Sequence, residues 1–454
     1  MSEQIKSMIK YRLFYSFSVK LVSPLSISSG DGELTDHDIV LSPDDKPFIP
    51  GSSVAGALRE YIDKKDKCCS WLFGNRIIKD NNEEKDIMSR LFFSDIVLEN
   101  ANISVRDGIA LDIKNGLKII ADTAKYDYQV VETGAEGKFN IEIVIYDTDE
   151  IENQSEIKPD INYIEKAVRI AVNGINSGAV RFGYKKTRGL GKLNIEETYQ
   201  KKVFDYSIND KKSVATEYIK FCKNYNYDSA ILKSCSDIPD DIAKIKVNLS
   251  LKGGISIRTY SAKPEEPDFS HITIGKEKKY AVIPGSSWNG AIRARTFDIL
   301  KNELGIGEQS TLTEELNKFW GIVKLKDSKR DEFQESKIIF SESIIKDSKP
   351  VRMTRNKINR FDSSTIDGAL YTEMAYFKGS TELEILIKEY TNYLWAIALV
   401  IMVIEDISNG LISVGGQTAI GRGIFTRIGD IEFTNVNEQE CNNILLNKIM
   451  LLRK

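Results

Sequence analysis

One twelve-residue stretch occurs twice in this chain: residues 48 to 59 read FIPGSSVAGALR and residues 282 to 293 read VIPGSSWNGAIR. Like segments in like surroundings imply two copies of one module, so a repeat constrains the fold before any single residue does. Pro50 falls on Pro284, an offset of 234, and the same offset carries Gly56 to Gly290, Arg59 to Arg293 and His37 to His271.

The flanks repeat as well. Leu13, Tyr15, Phe17, Val19 and Leu21 alternate with other residues, as do Ile245, Val247, Leu249 and Leu251, and a period of two predicts strands. PLSI at 24–27 matches GISI at 254–257 with an offset of 230, so the second copy gains residues ahead of its proline motif. LFFSDI at 91–96 pairs with IIFSES at 338–343, and Tyr126 with Tyr371. Gly183, Gly189 and Gly191 of GAVRFGYKKTRGLGKL (178–193) fall on Gly415, Gly421 and Gly423 of GLISVGGQTAIGRGIF (410–425).

The order in each half predicts an α+β fold of two tandem ferredoxin-like βαββαβ domains, with both helices on one face of an antiparallel sheet and the other face open. Long hairpin insertions are expected at 100–138 and 346–368. The expected boundaries are 1–205 for the first domain, 206–243 for a helical linker and 244–454 for the second, and 454 residues suit two domains.

Composition removes several classes of function. The longest apolar run, LWAIALVIMVI at 394–404, is short of the roughly 20 residues a membrane helix needs, and predicts a buried core helix. No secretory signal is visible, so a cytoplasmic protein with no membrane partner is expected. Cysteines 68, 69, 222, 235 and 441 form no CxxC pair, and two histidines complete no zinc set. A formal charge of −3 excludes a broadly basic nucleic-acid coat but not a local cationic stripe.

Such stripes are present. Ser52 and Ser53, with Ser286 and Ser287, stand where they would cap a helix whose N-terminus suits a phosphate, and Arg59 and Arg293 follow on the same helices. Lys185, Lys186, Arg188 and Lys192 are interleaved with glycines in the first Gly-rich turn, and Arg422 lies in the second. Cations on a backbone that permits close approach suit a groove tracking RNA. The spacing is not that of an ATP-binding P-loop. The insertions mix Arg106, Lys118, Lys125, Tyr126 and Tyr128, then Arg352, Arg355, Lys357 and Arg360, a mixture able to stack on bases while holding phosphates. Residues 31–45 hold six carboxylates and no Lys or Arg; beside RNA they would repel the ligand unless they gathered a divalent cation.

Together TDHDIVLSPDDKPFIPGSSVAGALR (35–59), LFG (72–74), LFFSDI (91–96) and KTRGLGKL (186–193), with their second copies, resemble the repeat-associated mysterious protein (RAMP) superfamily. Within it the chain resembles two type III CRISPR effector backbone subunits fused end to end. The resemblance implies binding of CRISPR guide RNA, stacking with other type III effector subunits, and a thumb-like hairpin that kinks the guide–target duplex. It also implies metal-dependent endoribonuclease cleavage of target RNA, with Mg2+ or Mn2+. The family's catalytic and metal-binding aspartate falls on Asp36. In the second half the offset of 234 places Ser270 there, with Asp268 two residues away as the substitute on a rearranged loop. Two other readings are a non-catalytic guide-binding scaffold, and a stand-alone guide-processing ribonuclease using His37 or His271 as general base.

Overall fold

The structure is a computed structural model. It describes residues 8–452 apart from 29, 31, 33, 67–70, 79–83, 115–116, 150–158, 208–209, 233–240, 261–265, 276–278, 308–309 and 322–333. The first half runs β1 (Ile9–Leu21), α1 (Gly51–Lys65), β2 (Leu91–Phe93), the hairpin β3 (Ile103–Lys114) and β4 (Leu117–Val131), β5 (Glu136–Tyr146), α2 (Ile161–Ser177) and β6 (Leu193–Asp205). Beyond β6 come α3 (Lys211–Asn224) and β7 (Asp228–Ile231). The second half runs β8 (Ile242–Lys252), β9 (Phe269–His271), α4 (Gly285–Asp298), β10 (Ile338–Phe340), β11 (Lys349–Arg355), β12 (Tyr371–Phe377), β13 (Ser380–Lys388), α5 (Leu394–Ser408), β14 (Ile424–Thr434) and α6 (Glu438–Leu452).

The central sheets are ordered β6-β1-β5-β2 and β14-β8-β13-β10, all antiparallel. Both halves therefore place their strands in the same spatial order, that of the expected ferredoxin-like α+β module. Alternation dictates the faces: Leu13, Tyr15, Phe17, Val19 and Leu21 are buried with Phe139, Ile141 and Ile143 of β5 and with Val54, Leu58, Ile164 and Val168 of α1 and α2. Ile245, Val247, Leu249 and Leu251 do the same in the second half, beneath Trp288 and Trp395. Helix α2 starts where the Asp160 side chain accepts the Tyr163 N–H (2.8 Å) and stops at Gly178, whose φ of 79° the glycine permits.

Two features lay beyond the sequence pattern. The far face of the first sheet is not open throughout, because α3 packs there: Phe221 meets Phe14 and Phe204 at ring distances of 5.0 and 5.5 Å, and Arg12 lies 4.7 Å from the Tyr218 ring. The connector thus carries a helix and then β7, which adds to the edge of β6. In the second half α5 is apolar all round because it is covered twice, by the sheet and by Cys441, Leu445 and Ile449 of α6. Among the described residues no helix is long and apolar enough to cross a membrane.

Candidate nucleic-acid interface

Helices α1 and α4 begin one residue before the first serine of each pair, at Gly51 and Gly285. Their N-cap residues are Pro50 and Pro284, and no side chain of those residues caps them. The expected caps Ser52, Ser53, Ser286 and Ser287 instead lie in the first helical turn, the first three exposed and Ser287 half-buried. In α1 the Gly51 N–H is taken by Asp95 Oδ1 at 2.7 Å, a carboxylate at a positive helix end. Glycine is required at the start: on Gly285 a Cβ would lie 2.2 Å from the Phe340 carbonyl oxygen and 2.4 Å from that of Arg188.

That second neighbour belongs to the other half. The first Gly-rich turn sits on the start of α4, and Gly189, with φ 96°, approaches Phe340 O so closely that a Cβ would come within 2.6 Å. The equivalent turn of the second half, with Thr418, Ala419, Ile420 and Gly421 exposed, is not covered, and the start of α1 lines an open cleft with Arg59, Phe92 and Phe93.

The acidic loop is pinned to the insertion hairpin. The Asp36 N–H donates to Asp127 Oδ1 (3.0 Å) and the Asp127 N–H to Asp36 Oδ2 (2.9 Å), so the two carboxylates clamp each other's backbone. Asp38 is committed locally, accepting the N–H groups of Leu34 and Thr35 and the Thr35 hydroxyl. The second half repeats the clamp with Asp268 and Thr372: the Thr372 N–H and hydroxyl donate to Asp268 Oδ2 (2.7 and 3.1 Å), and the Asp268 N–H donates to Thr372 Oγ1 (3.2 Å). The Thr372 N–H, then its hydroxyl, hold the Asp268 carboxyl below its ordinary pKa.

This pairing corrects the alignment. Val40 donates to Ile27 O and Ile272 to Ile257 O, and Phe269 pairs with Glu373 as His37 does with Tyr128. The offset across the acidic loop is therefore 232, making Asp268, not Ser270, the counterpart of Asp36. The four residues gained enter as two ahead of the loop and two in the turn after it. His37 corresponds to Phe269, and His271 to the buried Ile39, so the two histidines are not equivalent. His271 is 2% exposed; its Nδ1 accepts the Ile257 N–H (2.9 Å) and its Nε2 meets Val282 O at 3.0 Å. Burial pushes its pKa down to about 4, so it is neutral and fully bonded rather than a general base.

His37 lies 5.7 Å from the Tyr184 ring and 6.5 Å from Tyr126. Lys185 is enclosed beside them, its Nζ 3.4 Å from the Tyr128 ring centre, 4.7 Å from Tyr126 and 5.3 Å from Tyr184. Burial, then Arg188 and Arg106, lower its pKa to about 7. It is a tyrosine-caged cation rather than a solvated one.

Several other expected RNA contacts are structural. Arg106, 3% exposed, is held between Glu132 (2.9 Å) and Glu342 of the second half. Burial opposes its charge, but Glu342 and Glu132 outweigh burial and raise its pKa. Arg422 is buried beside Phe377 and Glu373, and Arg355 bonds Glu373 at 2.9 Å. Lys192 lies 3.7 Å from Glu384. Arg293 is half-buried, its pKa lowered by burial and then by Arg188. Arg59 is exposed and donates to Gly74 O (3.1 Å); Arg188, Arg352, Lys357 and Arg360 are exposed. The side chains of Lys118 and Lys125 lie outside the described residues, as do Lys67, Cys68, Cys69 and Cys235.

Sequence reasoning missed Asp127, Thr372 and Asp95. The first two follow the tyrosines that the repeat already matched, Tyr126 and Tyr371, and that adjacency was the available signal. Among the described residues no group of three or more His, Cys, Asp or Glu side chains is arranged to hold a metal. Asp36 and Asp127 nevertheless fit Mg2+ or Mn2+, which commonly takes one or two carboxylates with waters and substrate phosphate. Each spends one oxygen on the clamp and has the other uncommitted among the described residues.

The family model of the RAMP superfamily matches residues 18–194 and 262–426, one match in each half. No curated protein matches the chain. Two ferredoxin-like modules, each clamping an aspartate loop to its insertion hairpin, and two matches over most of the length make this chain a member of the RAMP superfamily, the CRISPR-associated RNA-binding proteins.

Proposed function

We propose that the chain is a guide-RNA-binding backbone subunit of a type III effector complex that cleaves target RNA beside Asp36 and beside Asp268. The observation that carries this reading is the repeated clamp, which fixes one aspartate per half at the base of an insertion hairpin. The exposed Ser52, Ser53 and Ser286 in the first helical turns, with the exposed Arg59 two turns on in α1, supply phosphate donors, and the His37, Tyr126 and Tyr184 rings supply a stacking wall for a base. A divalent cation on Asp36 and Asp127 would neutralise charge at the reacting phosphate. The chain's own residues orient the strand: the clamp holds the carboxylates, and the hairpin holds the clamp.

Neighbouring subunits dock, in this reading, through the contact that joins the halves. The uncovered turn 417–421 would meet another helix start, and the open start of α1 another turn. One observation favours a variant in which only the first half cuts: the second clamp offers a single carboxylate, Thr372 standing where the first has Asp127.

The test is cleavage of a guide-complementary RNA by the assembled complex with Asp36→Ala, Asp268→Ala and the double variant. Each single variant should remove one product band and keep assembly. An unchanged ladder in all three leaves the scaffold reading; loss of only the Asp36 band leaves the single-site one.

A further inference from the structure

Between the halves lies a cavity of about 60 Å³, lined by α1, the segment after α2, the first Gly-rich turn, the start of β8 and the end of β13. At roughly 15 Å³ per water it has room for about four waters or one tetrahedral oxyanion. Its walls are strongly charged, and the pairing is uneven. Lys64 is matched by Glu60 (2.8 Å), Lys65 by Asp241, Lys388 by Glu335 (3.7 Å), and Glu389 by Lys337 (2.7 Å). Arg181 and Lys186 remain, and neither forms an ion pair among the described residues.

Arg181 is the anomaly. It is 3% exposed; its Nε donates to Gly178 O (3.2 Å), while Nη1 and Nη2 are buried without a partner among the described residues. Glu384, the carboxylate that acts on it, already faces Lys192 (3.7 Å) and Lys246 (3.5 Å). Burial pulls the arginine pKa down to about 10, with Glu384 opposing in part. A guanidinium with two idle nitrogens presents the fork that a phosphate accepts in two parallel bonds, and an unpartnered buried charge is expensive enough to need a counterion.

We propose that this junction cavity binds a small tetrahedral oxyanion, inorganic phosphate or the terminal phosphate of a mononucleotide, held by Arg181 and Lys186. The site is separate from the aspartate clamps and does not rest on their role in cleavage. Its occupant, held by two cations of the first half, would lie against the second-half wall formed by Ile339 and Lys388 and stiffen the junction.

Thermal unfolding of the full chain tests it, with inorganic phosphate titrated against chloride at matched ionic strength and adenosine monophosphate in a parallel arm. The midpoint should rise saturably with phosphate and not with chloride. Arg181→Met should unfold at or above the wild-type midpoint without phosphate, because a lone buried charge is gone, and should lose the phosphate response. Lys186→Met should fold and weaken the response at least tenfold, and it decides the matter if Arg181→Met does not fold. A greater affinity for the monophosphate than for phosphate identifies a nucleotide site, and equal affinity a free-anion site. No response in the wild type, or the same response in both variants, overturns the proposal.

Discussion

Replacing Arg106 by Met separates an RNA ligand from a structural ion. The guanidinium lies between Glu132 and Glu342, both almost wholly buried, and Ser104 also donates to Glu132. Removing one partner of a buried ionic group leaves the rest uncompensated and costs roughly 3–5 kcal/mol. Here two carboxylates are left facing each other across the junction of the halves. At about 2–4 °C per kcal/mol for domains of this size, the unfolding midpoint should fall by roughly 6–20 °C. The loss should be larger at pH 8 than at pH 5, since burial already raises the Glu342 pKa and acid neutralises that stranded carboxylate. Adding Glu132→Gln and Glu342→Gln to Arg106→Met should restore most of the midpoint. Calorimetry with a filter-binding assay for guide RNA reads both properties. A midpoint within 1 °C of wild type together with a tenfold loss of RNA affinity would refute the structural assignment.

Three further outcomes are expected. His271 has a native pKa near 4 against 6.5 for free histidine, so the stability it contributes is complete above pH 6.5 and declines as pH falls through 4, by roughly 3 kcal/mol in all. Urea unfolding should lose that acid limb in His271→Ile, at a cost of about 1–3 kcal/mol at pH 7.5 for the two backbone groups left unpaired. Lys185, pushed down to about 7, makes stability rise with pH from 7 toward the pKa of free lysine and fall as pH drops through 7; unfolding midpoints at pH 6.5, 8 and 9.5 should show a flatter slope in Lys185→Met. Thr372→Ala removes a donor to Asp268 and should weaken cleavage at the second site severalfold while sparing the Asp36 band, measured on the same RNA ladder.

The duplicated architecture was legible because it rests on periodicity and glycine placement. Alternation in β1 and β8 decided which face each strand buries, and the apolar run at 394–404 could only be an interior helix. The position of α3 was not legible, because its aromatics Tyr218 and Phe221 gave no sign of which surface they would cover. Nor was the fate of Arg106 and Arg422, whose burial depends on carboxylates far away in sequence, Glu342 and Glu373. A cation in an insertion reads as a solvated hook until tertiary structure supplies its partner.

The slip from an offset of 234 to 232 has a physical cause. Matching histidine to histidine used residue identity, whereas a strand register answers to the face each side chain occupies, and a shift of two preserves that face. Both offsets satisfy the alternation, so the pattern alone cannot choose between them. Backbone pairing chooses: His271 occupies the inward position of Ile39, where its ring is neutral and bonded at both nitrogens, and Asp268 takes the exposed position of Asp36. The two halves are therefore alike in the feature that holds their aspartates and unlike in what surrounds it, with His37 and Asp127 in one half against Phe269 and Thr372 in the other. Any difference in how they act on RNA should be sought in those two pairs.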